Sequence, residues 1–236
     1  LESLASSEVD IIIGTHALIE PAVKFSNLGL AVIDEQHKFG VAQRSKLWAK
    51  ASISPHVLVM TATPIPRTLA MTAYGDLDCS VLDELPPGRK EIKTVHRTDS
   101  NRLAVHNFIE KQILEGRQIY VVYPLIEESA TLDHKDLMDG YESLTRRFPL
   151  PKFRIGVVHG RMKPEDKEIE MQRFAKGITQ ILVATTVIEV GIDIKSATTI
   201  IIEHAERFGL AQLHQLRGRV GRNNDESYCI LLHKEN

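Results

Sequence analysis

The feature that most constrains the fold is an alternation of short apolar runs with longer, helix-like segments over residues 92–232. Runs such as Ile181-Leu182-Val183-Ala184 are continuous and rich in β-branched side chains, which is typical of strands buried on both faces. The segments between them predict helices near residues 101–115, 132–148, 164–176 and 210–216. Strands that alternate with helices are joined by right-handed crossovers into a mostly parallel sheet. The sequence therefore predicts an α/β fold.

The amino-terminal part of the chain predicts a separate, smaller unit. Apolar runs at residues 9–14, 29–35, 57–60 and 79–82 predict strands. The Pro-Pro-Gly at residues 86–88 lacks periodicity and is typical of a short, semi-stiff linker. We therefore predict domains at residues 1–85 and 92–236, joined by a linker at residues 86–91.

Composition narrows the possible functions. The net charge of −2 argues against a strongly basic nucleic-acid binder, so any nucleic-acid contact needs a local groove. No apolar run approaches the roughly 18 residues of a membrane span, and no signal peptide is evident, which predicts a soluble, cytoplasmic chain without a membrane partner. The two cysteines, Cys79 and Cys229, are far apart, so we expect buried thiols and neither zinc nor a disulfide.

Two adjacent carboxylates, Asp34 and Glu35, end the predicted strand at residues 29–35. Open α/β sheets bind ligands in the crevice at the carboxyl ends of their strands. One carboxylate there can bind Mg²⁺ while the other orients or deprotonates water, as in nucleoside-triphosphate hydrolysis. A pair of solvated carboxylates is the alternative that the residues leave open.

Hydroxyl and imidazole groups follow two other predicted strands of the first unit. Thr15 and His16 can offer donors to a phosphate, although this stretch taken alone favours an ordinary strand-to-helix turn. Thr61 and Thr63 can relay the state of a bound phosphate to another surface. Thr63 can also simply cap the next helix.

The second unit has comparable groups after its strands. The hydroxyls of Thr185 and Thr186 suit a nucleic-acid phosphate, and Asp193, after the turn that Gly191 permits, can accept a hydrogen bond from a ribose hydroxyl. His159 can hold a backbone phosphate. A hydroxyl-stabilised turn with an exposed aspartate is the alternative.

Arg219 and Arg222 lie in a segment interrupted by Gly218 and Gly221. A glycine costs about 1 kcal/mol relative to alanine inside a helix, which suggests that another group approaches this backbone closely. Arginines three residues apart can share one helical face and neutralise a transferring γ-phosphoryl group. The alternatives are a solvated basic turn and a contact with a nucleic-acid backbone, but neither explains both glycines.

In order along the chain, these stretches resemble motifs II, III, V and VI of the superfamily-two helicases. They are Asp34-Glu35-Gln36-His37, Thr61-Ala62-Thr63, Ala184-Thr185-Thr186 with Gly191 and Asp193, and Gln215-Leu216-Arg217-Gly218-Arg219-Val220-Gly221-Arg222. Residues 61–68 and 205–214 narrow the resemblance to the branch that holds RecG and the transcription-repair coupling factor. Residues 83–89, 125–129 and 159–164 resemble the RecG family of ATP-dependent DNA helicases, which remodel stalled forks and branched recombination intermediates.

The resemblance covers nearly the whole chain and implies two RecA-like lobes, the first incomplete, with ATP and Mg²⁺ as cofactors, forked or branched DNA as partner and a monomeric parent. It implies that Asp34 binds Mg²⁺, that Glu35 activates water, and that Arg219 and Arg222 contact the γ-phosphate with Gln215 nearby. Gly191 and Asp193 would contact the nucleotide. The remaining residues would couple nucleotide state to DNA (His37, Thr61, Thr63) or contact DNA (Thr15, His16, His159, Thr185, Thr186).

One departure from the family limits the expected activity. The family has a phosphate-binding GxxxxGK[ST] loop before the carboxylate pair, and this sequence has no Gly-Lys dipeptide. We also expect the wedge domain of that family to be missing. We therefore expect a fragment that does not hydrolyse ATP alone. The alternative is a nucleic-acid- or nucleotide-binding module that never hydrolyses ATP, whereas an oxidoreductase is excluded because no GxGxxG follows a predicted strand.

Overall fold

The computed structural model describes residues 6, 8–34, 50, 53–61, 78–124, 130–185 and 194–235. The chain forms two compact units, Leu1–Cys79 and Ser80–Asn236, so residues 86–91 group with the second unit. Within the described ranges, no helix has both the length and the apolar character that crossing a membrane requires.

The described part of the first unit is built on two short parallel strands. Strand β1 (Leu30–Ile33) pairs with β2 (His56–Val59), and Ile33 lies opposite Val59. Ile19 and Ile33 form a small buried core against which Val57 packs. A single 3₁₀ turn, His16–Ile19, precedes these strands, and the amide of Ala17 donates to the Thr15 hydroxyl that caps it.

Two strands predicted in the amino-terminal part are not strands in the structure. Residues 9–14 form no strand, and Ile11 and Ile13 are 79% and 93% exposed. Residues 79–82 likewise form no strand, and Cys79 is exposed rather than buried, whereas Cys229 is buried as expected. An apolar run becomes a strand only where another strand supplies hydrogen bonds. No described strand pairs with either run.

The second unit is a six-stranded sheet with helices on both faces. Its elements in chain order are β3 (Ile92–Thr98), α1 (Arg102–Leu114), β4 (Gln118–Tyr123), α2 (Ala130–Arg147), β5 (Ile155–Val158), α3 (Pro164–Ala175), β6 (Ile181–Thr185), β7 (Ala197–Ile202), α4 (Leu210–Arg217) and β8 (Ser227–His233). The strand order is β3-β8-β7-β4-β6-β5, and all neighbours are parallel. The predicted α/β fold with parallel sheets is confirmed.

The central strands β4, β6 and β7 are buried along their whole length. One face of the sheet packs against Phe174 of α3 and Leu216 of α4. The other packs against Ile109 of α1 and Leu144 of α2. Covering both faces explains why these strands read as continuous apolar runs. The parallel arrangement also places all six carboxyl ends at one edge, the carboxyl edge, and all amino ends at the amino edge.

Candidate functional site

The arginine-rich segment forms a loop at the amino edge of the second sheet. This arginine loop, residues 218–224, lies between α4 and β8. Gly221 has a φ of 74°, and a Cβ there would lie 2.7 Å from Cγ1 of Ile92 and 3.7 Å from Cβ of Ser227. Because Ile92 and Ser227 begin β3 and β8, the loop packs directly on the amino edge. Glycine is needed at 221 for its conformation and for this close approach.

Gln215 lies on α4, and Arg219 and Arg222 lie on the arginine loop that follows it. Gln215 and Arg219 are half-buried, and Arg222 is exposed with its Nε 3.4 Å from the Gly218 carbonyl oxygen. The expectation that both arginines share a helical face is wrong, because α4 ends at Arg217. The helix is capped by Gly218, and the positive φ of Gly221 then turns the chain between the two arginines, so both side chains project from the loop.

The arginine loop is tied to the segment before β7. The side-chain amide of Asn223 donates to the Lys195 carbonyl at 2.6 Å, and the Asn223 oxygen accepts from the amide of Asp225 at 3.0 Å. Lys195 comes two residues after Asp193. The loop and this segment are therefore neighbours at the amino edge.

A cleft of about 410 Å³ opens beside the arginine loop. Its lining includes Pro86, Pro87 and Arg89, which precede β3, and Arg222 and Asn224 of the arginine loop. The cleft lies wholly within the second unit and gives the Arg222 side chain access to solvent.

Two residues predicted to contact nucleic acid lie at the opposite, carboxyl edge. Thr185 is the last residue of β6, and His159 directly follows β5. His159 is half-buried in a turn closed by the Met162 amide, which donates to its carbonyl at 3.2 Å. Thr185 is buried, and its hydroxyl has no hydrogen-bond partner among the described residues.

The second sheet thus separates two groups of predicted residues. The strands between the edges contain up to 7 residues, which corresponds to roughly 23 Å at about 3.3 Å per residue. Arg219 and Arg222 lie at the amino edge, while His159 and Thr185 lie at the carboxyl edge. One small ligand cannot contact both groups, so the lobe offers two distinct surfaces.

A charged cluster at the carboxyl edge was missed from the sequence. The two terminal guanidinium nitrogens of Arg102, Nη1 and Nη2, donate to the carboxylate of Glu203 at 2.8 and 3.0 Å, and Nη2 also donates to Asp99 at 2.7 Å. The hydrogen bond with Glu203 raises the pKa of Arg102 above its usual range. Arg102 and Glu203 are 101 residues apart and belong to no common motif, so no sequence signal pairs them.

The same cluster perturbs two neighbouring groups. Burial raises the pKa of the Tyr123 hydroxyl well above its usual range, and the carboxylate of Glu203 adds to the effect. Burial lowers the pKa of His106, with further contributions from the positive charges of Arg102 and Arg147. Both groups therefore favour their neutral forms in the folded chain.

In the first unit, Asp34 and Thr61 lie close to the same edge of the small sheet. Asp34 directly follows β1, and Thr61 follows β2 by two residues. The amide of Met60 donates to the Ile33 carbonyl at 2.8 Å and extends the pairing to this edge. Asp34 and Thr61 are exposed there. The pairing of β1 with β2 therefore places both residues at the carboxyl ends of neighbouring strands.

Asp34 suits the metal that the resemblance implies. An exposed carboxylate at the carboxyl end of a parallel strand is an oxygen ligand of the kind Mg²⁺ prefers, and Mg²⁺ needs only one or two such carboxylates with substrate phosphates. Among the described residues, no group of three or more histidine, cysteine or acidic side chains converges to form a metal site. Thr15 and His16 are exposed at the 3₁₀ turn. The other predicted residues lie outside the described part of the chain: Glu35, His37, Thr63, Thr186, Gly191 and Asp193.

Two family descriptions match this chain. Residues 102–224, more than half of it, match the helicase conserved C-terminal domain. Residues 1–72 match the DEAD/DEAH box helicase family. The first match lies within the second unit and includes the arginine loop.

Curated relatives and a solved structure agree with these matches. The chain is 53% identical over 237 residues to the ATP-dependent DNA helicase RecG of Escherichia coli K12 and 51% identical over 229 residues to that of Thermotoga maritima. The alignments cover 99% and 97% of this chain but only 34% and 29% of those proteins. A structure of RecG bound to a three-way DNA junction aligns with a TM-score of 0.74 and 45% sequence identity. The alignment covers the whole of this chain and 30% of the RecG chain. The chain therefore belongs to the helicase family defined by the helicase conserved C-terminal domain, and within that family it resembles RecG.

Proposed function

We propose that this chain is the motor region of an ATP-dependent DNA helicase that acts on branched DNA. In this proposal the arginine loop at the amino edge of the second sheet handles nucleotide, and the carboxyl edge handles DNA. The observation that carries it is the separation of Arg219 and Arg222 from His159 and Thr185 on opposite edges. A motor needs two such surfaces, because ATP and DNA must bind at the same time and ATP hydrolysis must change the affinity for DNA.

Arg219 and Arg222 supply positive charge to the transferring γ-phosphoryl group. Their chemistry suits this role, because guanidinium groups stay protonated and match phosphate oxygens in a bidentate manner. Charge held in place before the reaction stabilises the transition state without reorganisation, and arginines in this role contribute about 10³–10⁵ in rate. Gln215, one helical turn before Arg219, is proposed to help orient the reacting groups.

In the first unit, Asp34 would hold Mg²⁺, which when bound neutralises charge on the β- and γ-phosphates. Glu35 would orient and deprotonate the attacking water. The exposed carboxylate of Asp34 supports this assignment, because a metal ligand must be accessible to the incoming nucleotide. Gly191 and Asp193 are proposed to contact the nucleotide, and His37, Thr61 and Thr63 to couple its state to DNA.

DNA contacts are proposed for the carboxyl edge and for the turn of the first unit. His159, Thr185 and Thr186 would contact the sugar-phosphate backbone at the former, and Thr15 and His16 at the latter. Backbone contacts position the protein on DNA without reading sequence, which suits a motor that moves along any sequence. The similarity to the structure of RecG bound to a three-way DNA junction supports branched DNA as the substrate.

The 236-residue polypeptide by itself is proposed not to hydrolyse ATP. Its sequence contains no Gly-Lys dipeptide, so it lacks the loop amides and the lysine that hold the β- and γ-phosphates in this class of enzyme. A malachite-green phosphate assay on the purified chain, with and without branched DNA, tests this point. Phosphate release that depends on Glu35 would refute it.

The proposed division of labour is tested in the complete helicase that contains this chain. Replacing Arg219 and Arg222 with alanine is expected to reduce DNA-stimulated ATP hydrolysis at least 10³-fold and to leave binding of a three-way junction within threefold. Replacing His159 with alanine is expected to weaken binding of the three-way junction and to leave the rate of ATP hydrolysis measured without DNA unchanged. Arg146→Ala is the matched control, because Arg146 is 79% exposed in a surface pair on α2. Unchanged hydrolysis in the double arginine variant would refute the proposal.

A further inference from the structure

The linker segment is attached to the arginine loop by one side chain. The Nε of Arg89 donates to the carbonyl oxygen of Gly221 at 2.6 Å, across 132 residues of sequence. Arg89 is half-buried, whereas Lys90, the next residue, is exposed. Hydrogen bonds from a charged donor are about twice as strong as neutral ones. The contact therefore joins two segments that the sequence separates by almost the whole second unit.

The backbone around Arg89 is shaped for this contact. Its amide donates to the Pro86 carbonyl at 3.0 Å, which closes a turn. Gly88 within that turn has a φ of 82°, and a Cβ there would lie 2.8 Å from the side-chain oxygen of Asn224. The positive φ favours glycine at this position, and any larger residue would push the Asn224 side chain aside. The turn thus rests against the arginine loop and directs Arg89 toward Gly221.

The carbonyl that Arg89 holds belongs to the peptide that leads into Arg222. A peptide unit is planar, so fixing the Gly221 oxygen also fixes the amide nitrogen of Arg222 and the direction in which its Cα follows. This restraint matters because glycine at 221 would otherwise leave the backbone exceptionally free. On the other side of Arg222, Asn223 is held by its 2.6 Å hydrogen bond to the Lys195 carbonyl. Arg222 is therefore held between two anchors.

We propose that Arg89 is a positioning residue for ATP hydrolysis, because it holds the peptide that aims Arg222. The inference rests on the proposed role of Arg222 and assigns a new role to the linker. Arg89 acts through the Gly221 carbonyl, so it alters the placement of Arg222 and leaves nucleotide affinity largely intact. A direct phosphate contact by Arg89 is the competing role, since Arg89 and Arg222 line the same cleft.

The first test uses the 236-residue chain and requires no enzymatic activity. In Arg89→Ala, amide hydrogen exchange in residues 219–224 is expected to accelerate about tenfold, while exchange in β4 stays unchanged. Lys90→Ala is the matched control, because it removes an exposed cation from the same turn. Unchanged exchange in the arginine loop of Arg89→Ala would overturn the inference, whatever the function of the protein.

The second test uses the complete helicase and separates positioning from phosphate binding. Arg89→Ala is expected to lower kcat about tenfold, equal to about 1.4 kcal/mol of activation free energy, with KM for ATP within twofold. Arg89→Lys keeps one donor for the Gly221 carbonyl and is expected to recover most of the loss. A rise in KM with unchanged kcat would instead assign a phosphate contact and overturn the positioning role.

A double-mutant comparison links the effect to Arg222. In single-turnover hydrolysis, which resolves slow rates, Arg89→Ala is expected to add less than twofold to the loss caused by Arg222→Ala, because the aimed side chain is already absent. A full additional tenfold loss would overturn the inference. If Arg222→Ala alone leaves hydrolysis intact, the proposed function fails. If Arg222→Ala slows hydrolysis but Arg89→Ala does not, the proposed function stands and the positioning role of Arg89 is refuted.

Discussion

Replacing Arg102 with alanine is expected to destabilise the second unit more than replacing its partner Glu203 with glutamine. The two side chains form a bidentate ion pair at the carboxyl edge, and they differ in exposure: 6% for Glu203 and 35% for Arg102. Loss of Arg102 leaves a buried carboxylate without its cation. Loss of the charge on Glu203 leaves a guanidinium that still reaches water and Asp99.

The magnitude follows from that asymmetry. Removing one partner of a fully buried ion pair costs about 3–5 kcal/mol. Because a third of Arg102 is exposed, water screens part of the interaction, and we expect about 2–3 kcal/mol for Arg102→Ala. In Glu203→Gln the amide oxygen still accepts one hydrogen bond, so we expect about 1 kcal/mol. The double variant should cost less than the sum, with a coupling of about 1–2 kcal/mol.

Amide hydrogen exchange of the buried strands β4 and β7 measures the change in the free energy of unfolding of the second unit. Amides in these core strands exchange only when the whole unit unfolds. Arg146→Ala, which breaks an exposed pair with Glu142 on α2, is the matched control and should change stability by less than about 0.5 kcal/mol. Equal losses for Arg102→Ala and Glu203→Gln, or strict additivity, would refute the burial argument.

Three further outcomes are expected. Gly140→Ala should lower the melting temperature, because a Cβ there would overlap the Tyr123 hydroxyl and overpacking costs about 1–3 kcal/mol. Acidification should destabilise the chain through His106: its pKa is lowered in the folded state, so below about pH 6.5 the unfolded chain takes up the proton first. His106→Phe should therefore flatten this part of a stability profile measured against pH. Gly221→Ala should lower kcat in the complete helicase, because the new Cβ would collide with Ile92 and displace the arginine loop.

The second sheet was predictable because its strands are buried on both faces. The predicted run at residues 181–184 corresponds to β6, which extends one residue further, to Thr185. Continuous apolar runs report burial directly, since a strand covered by helices on both sides has no polar face. The alternation with helices then leaves a parallel sheet as the arrangement with short crossovers.

The same reasoning failed where burial depends on a partner. Residues 9–14 contain three consecutive isoleucines, yet Ile11 and Ile13 are exposed and no described strand pairs with them. The exposure of Cys79 has the same origin. An apolar run indicates that its side chains favour burial, but the residues that would cover them are supplied by other segments of the fold.

For the candidate site, too, the sequence predicted features that depend on neighbouring residues and missed those that depend on distant ones. Motif spacing identified Arg219, Arg222 and their glycines, because residue type and spacing within a loop are local properties. The spacing of the arginines wrongly predicted that they share a helical face. The chain turns at Gly221, and this conformation depends on packing against Ile92, more than 120 residues away in sequence. The contacts of Arg102 with Glu203 and of Arg89 with Gly221 have no local signature at all.

The sequence by itself determined the α/β class, the strands of the second sheet and the residue types suited to phosphate, because hydrophobic periodicity and motif chemistry operate over a few residues. Tertiary structure decided which edge each motif occupies and which distant side chains hold it in place. The physical reason is that strand order in a parallel sheet is set by how crossovers pack. Residues adjacent in space, such as Arg89 and Gly221, are brought together by that packing across most of the second unit.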